Sequence, residues 1–343
     1  MKPFYTKNFL QLDGDTPLVK DLSVETYLNN WAGQDEVRLA VQKAMMAIFT
    51  NAPVLANRLL YGKLLGDPGA LAGNNTDGDK QKRIDVGAHK LLVASLLDAH
   101  VASVLSEEEE LPISGADDGR VVVAIDPLDG SENINVGAPV GTIFSIFPVA
   151  QKGKDNFLRA GHEQIAAGFV TYGHTVDCVF SVGDGVVMAT LNPEDGYFYI
   201  TVQNVKLAPQ TTSLAFNASV YRYVSNGMRA YIDDCWQGKD GVRGKNFNMR
   251  WLGSLVGESY RIFSRGGLFF YVNDNRKGYE NGRLRLVYEA LPMAFLAQEA
   301  GGLASNGKIS ILDCVAQNYH ERTPLIYGAF DEVKTILDYL MDK

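Results

Sequence analysis

Ala124-Ile125-Asp126-Pro127-Leu128-Asp129-Gly130-Ser131-Glu132-Asn133 is the stretch on which the reading of this chain turns. The apolar run ahead of it, residues 121–125, is short, β-branched and bounded by Asp-Gly-Arg before and Asp-Pro after, the pattern of a buried strand. Pro127 has no N–H to give to a sheet ladder, so the strand is expected to stop near Asp126. That leaves Asp126 and Asp129 at a strand end, with Gly130 and Ser131 behind them. A second apolar strand, residues 101–105, runs into Ser106-Glu107-Glu108-Glu109-Glu110. Four glutamates in a row are ordinarily a solvated face, and Asp-Pro or Asp-Gly is ordinarily a turn. Here both acidic groups directly follow apolar strands, and strand ends are where open α/β sheets bind ligands. Like charges gathered on one rim raise one another's pKa values, and a hard divalent cation removes that cost. The pattern reads as a magnesium-type phosphate site.

Outward from this stretch, 343 residues are enough for two domains. With 46% hydrophobic and 21% charged residues the chain can build a sizeable core, which excludes disorder. A formal net charge of −8 argues against non-specific nucleic-acid binding, although a local cation site can still capture a small anion. Cys178, Cys235 and Cys314 are odd in number and far apart, so neither a zinc spacing nor a disulfide framework emerges, and a reducing compartment is expected. The opening residues lack an apolar leader, and the longest apolar runs fall well short of a membrane span. The expectation is a soluble, cytoplasmic protein.

Residues 1–30 read as irregular. A helix is expected over 35–49, with a second helix restarting at Asn51-Ala52-Pro53. A polar, glycine-rich loop spans 66–78, and residues 79–100 carry helical periodicity. Asp79 and Asp85 lie near the entrance of that helix, where carboxylates are favoured by the helix dipole whether or not they do chemistry. Residues 141–149 form a third buried strand, and 164–207 read as mostly β. A boundary is expected near Ala208-Pro209-Gln210. The second half then gives a strand at 214–217, a helix at 254–264, a strand at 268–272, a helix at 284–300 kinked at Pro292, a strand at 325–327 and a helix at 331–341. Strands and helices alternate, so the class is α/β or mixed α+β.

Five blocks in order carry a family resemblance: Gly78-Asp79 with Ile84-Asp85-Val86; Ser106-Glu107-Glu108; residues 126–133 followed by Val140-Gly-Thr-Ile-Phe-Ser-Ile146; residues 284–293; and Ala300-Gly301-Gly302. Together they resemble class I fructose-1,6-bisphosphatase, within the wider lithium-sensitive, magnesium-dependent phosphatase superfamily. The resemblance implies a layered αβαβα sandwich of two halves, residues 1–208 and 209–343, with the metals between them. It implies metal ligands at Glu107, Glu108, Asp126, Asp129 and Glu289 and the carbonyl of Leu128, holding two or more Mg2+ ions, or Mn2+. Asp79, Asp85 and Glu108 would orient and deprotonate the attacking water. Gly130 and Ser131 would offer N–H groups to a 1-phosphate, where a side chain on residue 130 would obstruct close approach. Asn217, Tyr221, Arg250, Leu255, Tyr271 and Arg283 would surround the sugar and its 6-phosphate, with Arg250 reaching in from a neighbouring subunit of a homotetramer. Read without the resemblance, Arg250 is a surface ion-pair residue and Tyr271 a core residue.

The chain also departs from the family pattern. Glu132 stands where a serine is usual, Asn135 where aspartate is usual, and Arg283 where lysine is usual. An extra carboxylate beside a phosphate repels it unless the side chain faces solvent or a cation. The family's AMP-binding residues are also missing: the first loop is shortened around Gly33-Gln34-Asp35, the basic pair reads Arg120-Val121, and Pro148 stands where an arginine is usual. Classical AMP inhibition is therefore not expected, nor is a thiol switch. The expected reaction is hydrolysis of the 1-phosphate of fructose 1,6-bisphosphate. A sedoheptulose-1,7-bisphosphatase uses the same chemistry and is the nearest alternative, with a non-catalytic sugar-phosphate sensor further off. The long second half argues against an inositol monophosphatase.

Overall fold

Residues 22–74 and 80–341 are described by the structure, a computed structural model. Asp79 lies outside the described residues. Helix α1 (Val24–Ala32) buries Val24, Leu28 and Ala32 along one face, and Ser23 Oγ accepts the N–H of Thr26 at 3.1 Å to cap it. The stretch expected to be irregular up to residue 30 is thus helical from Val24. Helix α2 (Glu36–Leu60) runs through Pro53 without the expected restart. Proline deletes one hydrogen bond, but the stripe Ala44, Ile48, Ala52, Leu55 stays buried across it, and that packing holds the helix together. By length and composition α2 could cross a membrane, yet its apolar stripe belongs to the protein core. A short hairpin, β1 (Leu71–Asn74) with β2 (Lys80–Lys82), leads into α3 (Arg83–Asp98).

Eight strands follow: β3 (Ser103–Ser106), β4 (Ile113–Ser114), β5 (Val121–Asp129), β6 (Val140–Pro148), β7 (Ala166–Tyr172), β8 (Val176–Ser181), β9 (Val186–Leu191) and β10 (Phe198–Val205). They form one sheet in the order β10-β9-β8-β7-β6-β5-β3-β4, parallel at β3–β5 and otherwise antiparallel. No α-helix interrupts them, in keeping with the strands expected at 101–105, 121–125 and 141–149 and the mostly β stretch at 164–207. The remainder supplies β11 (Ser213–Ala215), α4 (Asn226–Trp236), β12 (Asn248–Met249), α5 (Leu255–Arg265), β13 (Leu268–Tyr271), β14 (Leu284–Arg285), α6 (Leu291–Glu299), β15 (Leu303–Ser305), β16 (Arg322–Thr323), β17 (Leu325–Gly328) and α7 (Phe330–Met341). A five-stranded sheet runs β12-β11-β13-β17-β15. The helix expected over 284–300 is instead a short strand, a π-helical turn Leu286–Ala290, and α6; Pro292 sits in the first turn of α6, where its missing N–H costs little.

The two-residue period of the strands sorts their side chains between layers. Val121, Val123 and Ile125 of β5 join the core under α1–α3, while Val122 and Ala124 join the core shared with α5 and α6. In the second sheet Phe269 faces that same inner core, and Leu268 and Phe270 face α4 and α7. The layers are therefore helix, sheet, helix, sheet, helix, as expected.

Candidate functional site

In a regular strand, residues three apart point to opposite faces. β5 does not stop at Asp126 as expected. Its pairing with β6 continues, Asp126 opposite Ile143 and Asp129 opposite Gly141, so three steps on one strand match two on the other. The extra residue is a bulge, and it brings Asp126 and Asp129 to the same side. Pro127 sits inside the bulge, where a missing N–H is tolerated, and its carbonyl accepts Thr142 Oγ1 at 2.9 Å. Asp126 Oδ1 accepts the N–H of Leu128 at 2.9 Å, closing the turn.

Glu289 arrives from the second half on the π-helical turn, a feature that proteins use frequently at functional sites. Asp126, Asp129 and Glu289 are all buried, and each places a carboxylate oxygen within 4.8 Å of the other two. Burial pushes Asp126 and Glu289 far above the usual carboxylate range, and Glu107 and Asp129 push both further. Asp129 is raised by burial to about 6, held back by the N–H groups of Val256 and Leu255. These belong to the N-terminus of α5, and Val256 N–H donates to Asp129 Oδ2 at 3.2 Å. Gly141 makes that approach feasible: a Cβ there would lie 2.2 Å from the Val170 carbonyl and 2.8 Å from Val256 Cγ2.

Glu107 and Glu108 follow β3 and are half-buried. Glu107 hydrogen-bonds to Asp126, and Arg285 Nε lies 3.9 Å from Glu107 Oε1. Glu108 is raised to about 7, first by burial, against the donated amide of Gln81 and with help from Glu107 and Asp85. Glu109 turns instead to His89 at 3.3 Å, and Glu110 is exposed, so only half of the glutamate run enters the site. Asp85 is 4% exposed; its Oδ2 accepts the N–H of Lys82 at 2.8 Å, and its Oδ1 has no hydrogen-bond partner among the described residues. Burial raises Asp85 as well. An all-oxygen donor set, crowded and short of positive charge, fits a hard divalent cation.

Gly130 adopts φ 75, and this left-handed backbone is what demands glycine there. A Cβ would meet nothing closer than 3.5 Å, so obstruction by the protein is not the reason. Glu132 is 87% exposed and lies 3.4 Å from Lys82 Nζ, facing both solvent and a cation. Asn135, at φ 72, donates Nδ2–H to Asp67 Oδ1 at 2.8 Å, a contact that an aspartate would turn into repulsion.

Farther along, Arg283 lies with its guanidinium 5.3 Å from the ring of Tyr271, 3.6 Å from that of Tyr279 and 3.8 Å from Asp274 Oδ2. Arg276, which sequence reasoning missed, forks onto Asp274 through Nε at 2.9 Å and Nη2 at 2.6 Å and stacks over Tyr223 and Tyr279. Its i, i+2 spacing from Asp274 in a polar loop is a signal that could have found it. Asn217 Oδ1 accepts the N–H of Ser219 at 3.0 Å as a cap. Tyr221 is not brought to this cluster: its hydroxyl donates to Asp233 and its ring stacks on Trp236 of α4, a helix that the sequence reading did not anticipate. Leu255 is buried in the inner core with its N–H turned to Asp129. Arg250 is exposed, and among the described residues its guanidinium has no carboxylate partner.

The fold and the buried carboxylate cluster together define a sugar-phosphatase type of centre. The profile of the fructose-1-6-bisphosphatase N-terminal domain matches residues 26–203, and that of the C-terminal domain matches residues 207–341. Over 332 residues, covering 97% of each chain, the sequence is 57% identical to the class 1 fructose-1,6-bisphosphatases of Brucella suis and Brucella abortus. The crystal structure of Leishmania major fructose-1,6-bisphosphatase in its holo form superposes with a TM-score of 0.87 at 28% identity, over 94% of this chain and 99% of that one. The apo form of the same enzyme gives 0.82 at 26% identity. The chain belongs to the class 1 fructose-1,6-bisphosphatase family, whose members are metal-dependent in general.

Proposed function

We propose that this protein hydrolyses the 1-phosphate of fructose 1,6-bisphosphate, giving fructose 6-phosphate and phosphate. The observation that carries the reading is the junction itself: two aspartates phased by a bulge in one half meet a glutamate from the other, all buried and in excess of nearby cations. Glu107, Glu108, Asp126, Asp129, Glu289 and the carbonyl of Leu128 would hold two or more divalent ions, Mg2+ or Mn2+. Bound there, such ions neutralise phosphoryl oxygens and acidify coordinated water. Glu108, half-buried beside Glu107, and Asp85, with an unpartnered oxygen among the described residues, are suited to take a proton from the attacking water, a role the resemblance gives to Asp79 as well. Gly130 and Ser131 offer N–H groups to the 1-phosphate. Arg283, Tyr271 and Asn217, joined by Arg276, form the cationic and hydroxyl-bearing end for the sugar and 6-phosphate.

Arg250, exposed and unpaired among the described residues, is suited to complete a neighbour's site in a homotetramer. The reading as a two-part chain, residues 1–208 and 209–343, is supported by the two family profiles, which meet between residues 203 and 207. Three free, buried cysteines are consistent with the cytoplasm. Pro148, where the family's AMP site has an arginine, ends β6 without a cationic side chain, and activity should stay flat as AMP rises. Phosphate release from fructose 1,6-bisphosphate, assayed with magnesium and again with chelator, tests the function. One phosphate per sugar is expected, and only with metal; release of both phosphates, or none, would count against it.

A further inference from the structure

A carboxylate next to a phosphate site needs a reason, and Lys82 supplies one. Its side chain is only 10% exposed; Nζ donates to the Ser131 carbonyl at 2.6 Å and lies 3.4 Å from Glu132 Oε1. The backbone N–H of the same lysine holds Asp85. The ammonium therefore stands where the 130–133 loop, with Gly130 in its left-handed turn, meets the start of α3.

We propose that Lys82 is a phosphate-binding cation of the 1-phosphate site and that Glu132 is its exchangeable counter-ion, displaced when a phosphoryl group arrives. This rests on the reading of Gly130 and Ser131 as the 1-phosphate loop. A nearly buried ammonium is costly without an anion, so the empty site needs a counter-charge. Buried Asp85, drawn to the same ammonium, supplies a fixed share of it, and Glu132 supplies the exchangeable share at little cost, because it adjoins Ser131 and is 87% exposed, free to swing into solvent. A phosphoryl group carries more charge than a solvated carboxylate and three acceptor oxygens, and it wins the exchange. Lysine, a compact charge on a flexible stem, suits such a handover better than a forked guanidinium.

Calorimetric binding of inorganic phosphate to the magnesium-loaded protein, run as a double-mutant cycle, tests the pairing. Glu132→Gln should tighten phosphate about fivefold, and Lys82→Gln should weaken it about tenfold. In the Lys82→Gln background the Glu132→Gln gain should vanish. Lys82→Arg, which keeps the charge, should stay within about threefold of the parent and serves if the glutamine variant does not fold. An equal gain from Glu132→Gln in both backgrounds would mean plain repulsion and overturn the proposal, as would unchanged affinity in Lys82→Gln. Absence of phosphate binding by the unaltered protein would instead overturn the 1-phosphate assignment on which the proposal rests.

Discussion

Replacing Asp129 by asparagine should make the metal-free protein more stable while removing its turnover. Asp129 is buried, and its carboxyl is raised from 3.8 to about 6. Ionising it in the folded chain above pH 6 therefore costs about 3 kcal/mol more than ionising it unfolded. An asparagine avoids that cost and keeps a carbonyl oxygen for the N–H of Val256, now at 3.2 Å from Oδ2. The attraction to the N-terminus of α5 is already contained in that figure, because the N–H groups of Val256 and Leu255 hold the carboxyl down to about 6. The gain is about 3 kcal/mol at pH 7.5 in chelator, read from urea unfolding. It should shrink toward zero below about pH 3, where the parent carboxyl is protonated in both states. A variant less stable than the parent by more than about 1 kcal/mol at pH 7.5, or a gain that does not change with pH, would refute the reasoning.

The same physics sets the pH profile of the metal-free parent. Carboxyls raised in the folded state contribute stability below about pH 4 that is lost as pH rises through about 6 for Asp129 and about 7 for Glu108, so unfolding midpoints in chelator should fall over that window and recover with magnesium. Glu332, 2% exposed and bound by Arg243 at 2.6 Å, Lys245 at 3.2 Å and Tyr231, pins α7 to α4; Glu332→Ala should cost about 3–5 kcal/mol in chemical denaturation. Arg276→Ala should raise KM for the bisphosphate about tenfold with kcat nearly unchanged in steady-state assays, because Arg276 lies with Asp274, Tyr223 and Tyr279 among the far-end groups.

Much of the fold was legible because burial leaves a period. Residues 121–125 and 141–149 read as strands from unbroken β-branched and aromatic runs, and α3 from the helical spacing of its apolar residues over 79–100. What the pattern hid was geometry that local propensity opposes. Pro127 and Pro53 both signal termination, yet a bulge absorbs the first and a continuous buried stripe overrides the second. The π-helical turn that aims Glu289 has no composition signature that separates it from an ordinary helix start. At the site, the acidic residues were visible as a crowd behind two strands, but which of them converge depends on long-range contacts. Glu109 and Glu110 share the run of Glu107 and Glu108 and yet fall outside it. Tyr221 and Tyr223 are two residues apart, and only the path into α4 decides which one faces Arg276.

Direct magnesium titration of the parent and of Asp126→Ala, each followed by phosphate release from fructose 1,6-bisphosphate, bears most squarely on the site. Asp126 should prove indispensable: the variant stays folded, binds magnesium at least about a hundredfold more weakly, and releases no phosphate. A folded variant that still turns over at the parent's rate, or a parent that needs no divalent ion, would contradict the account.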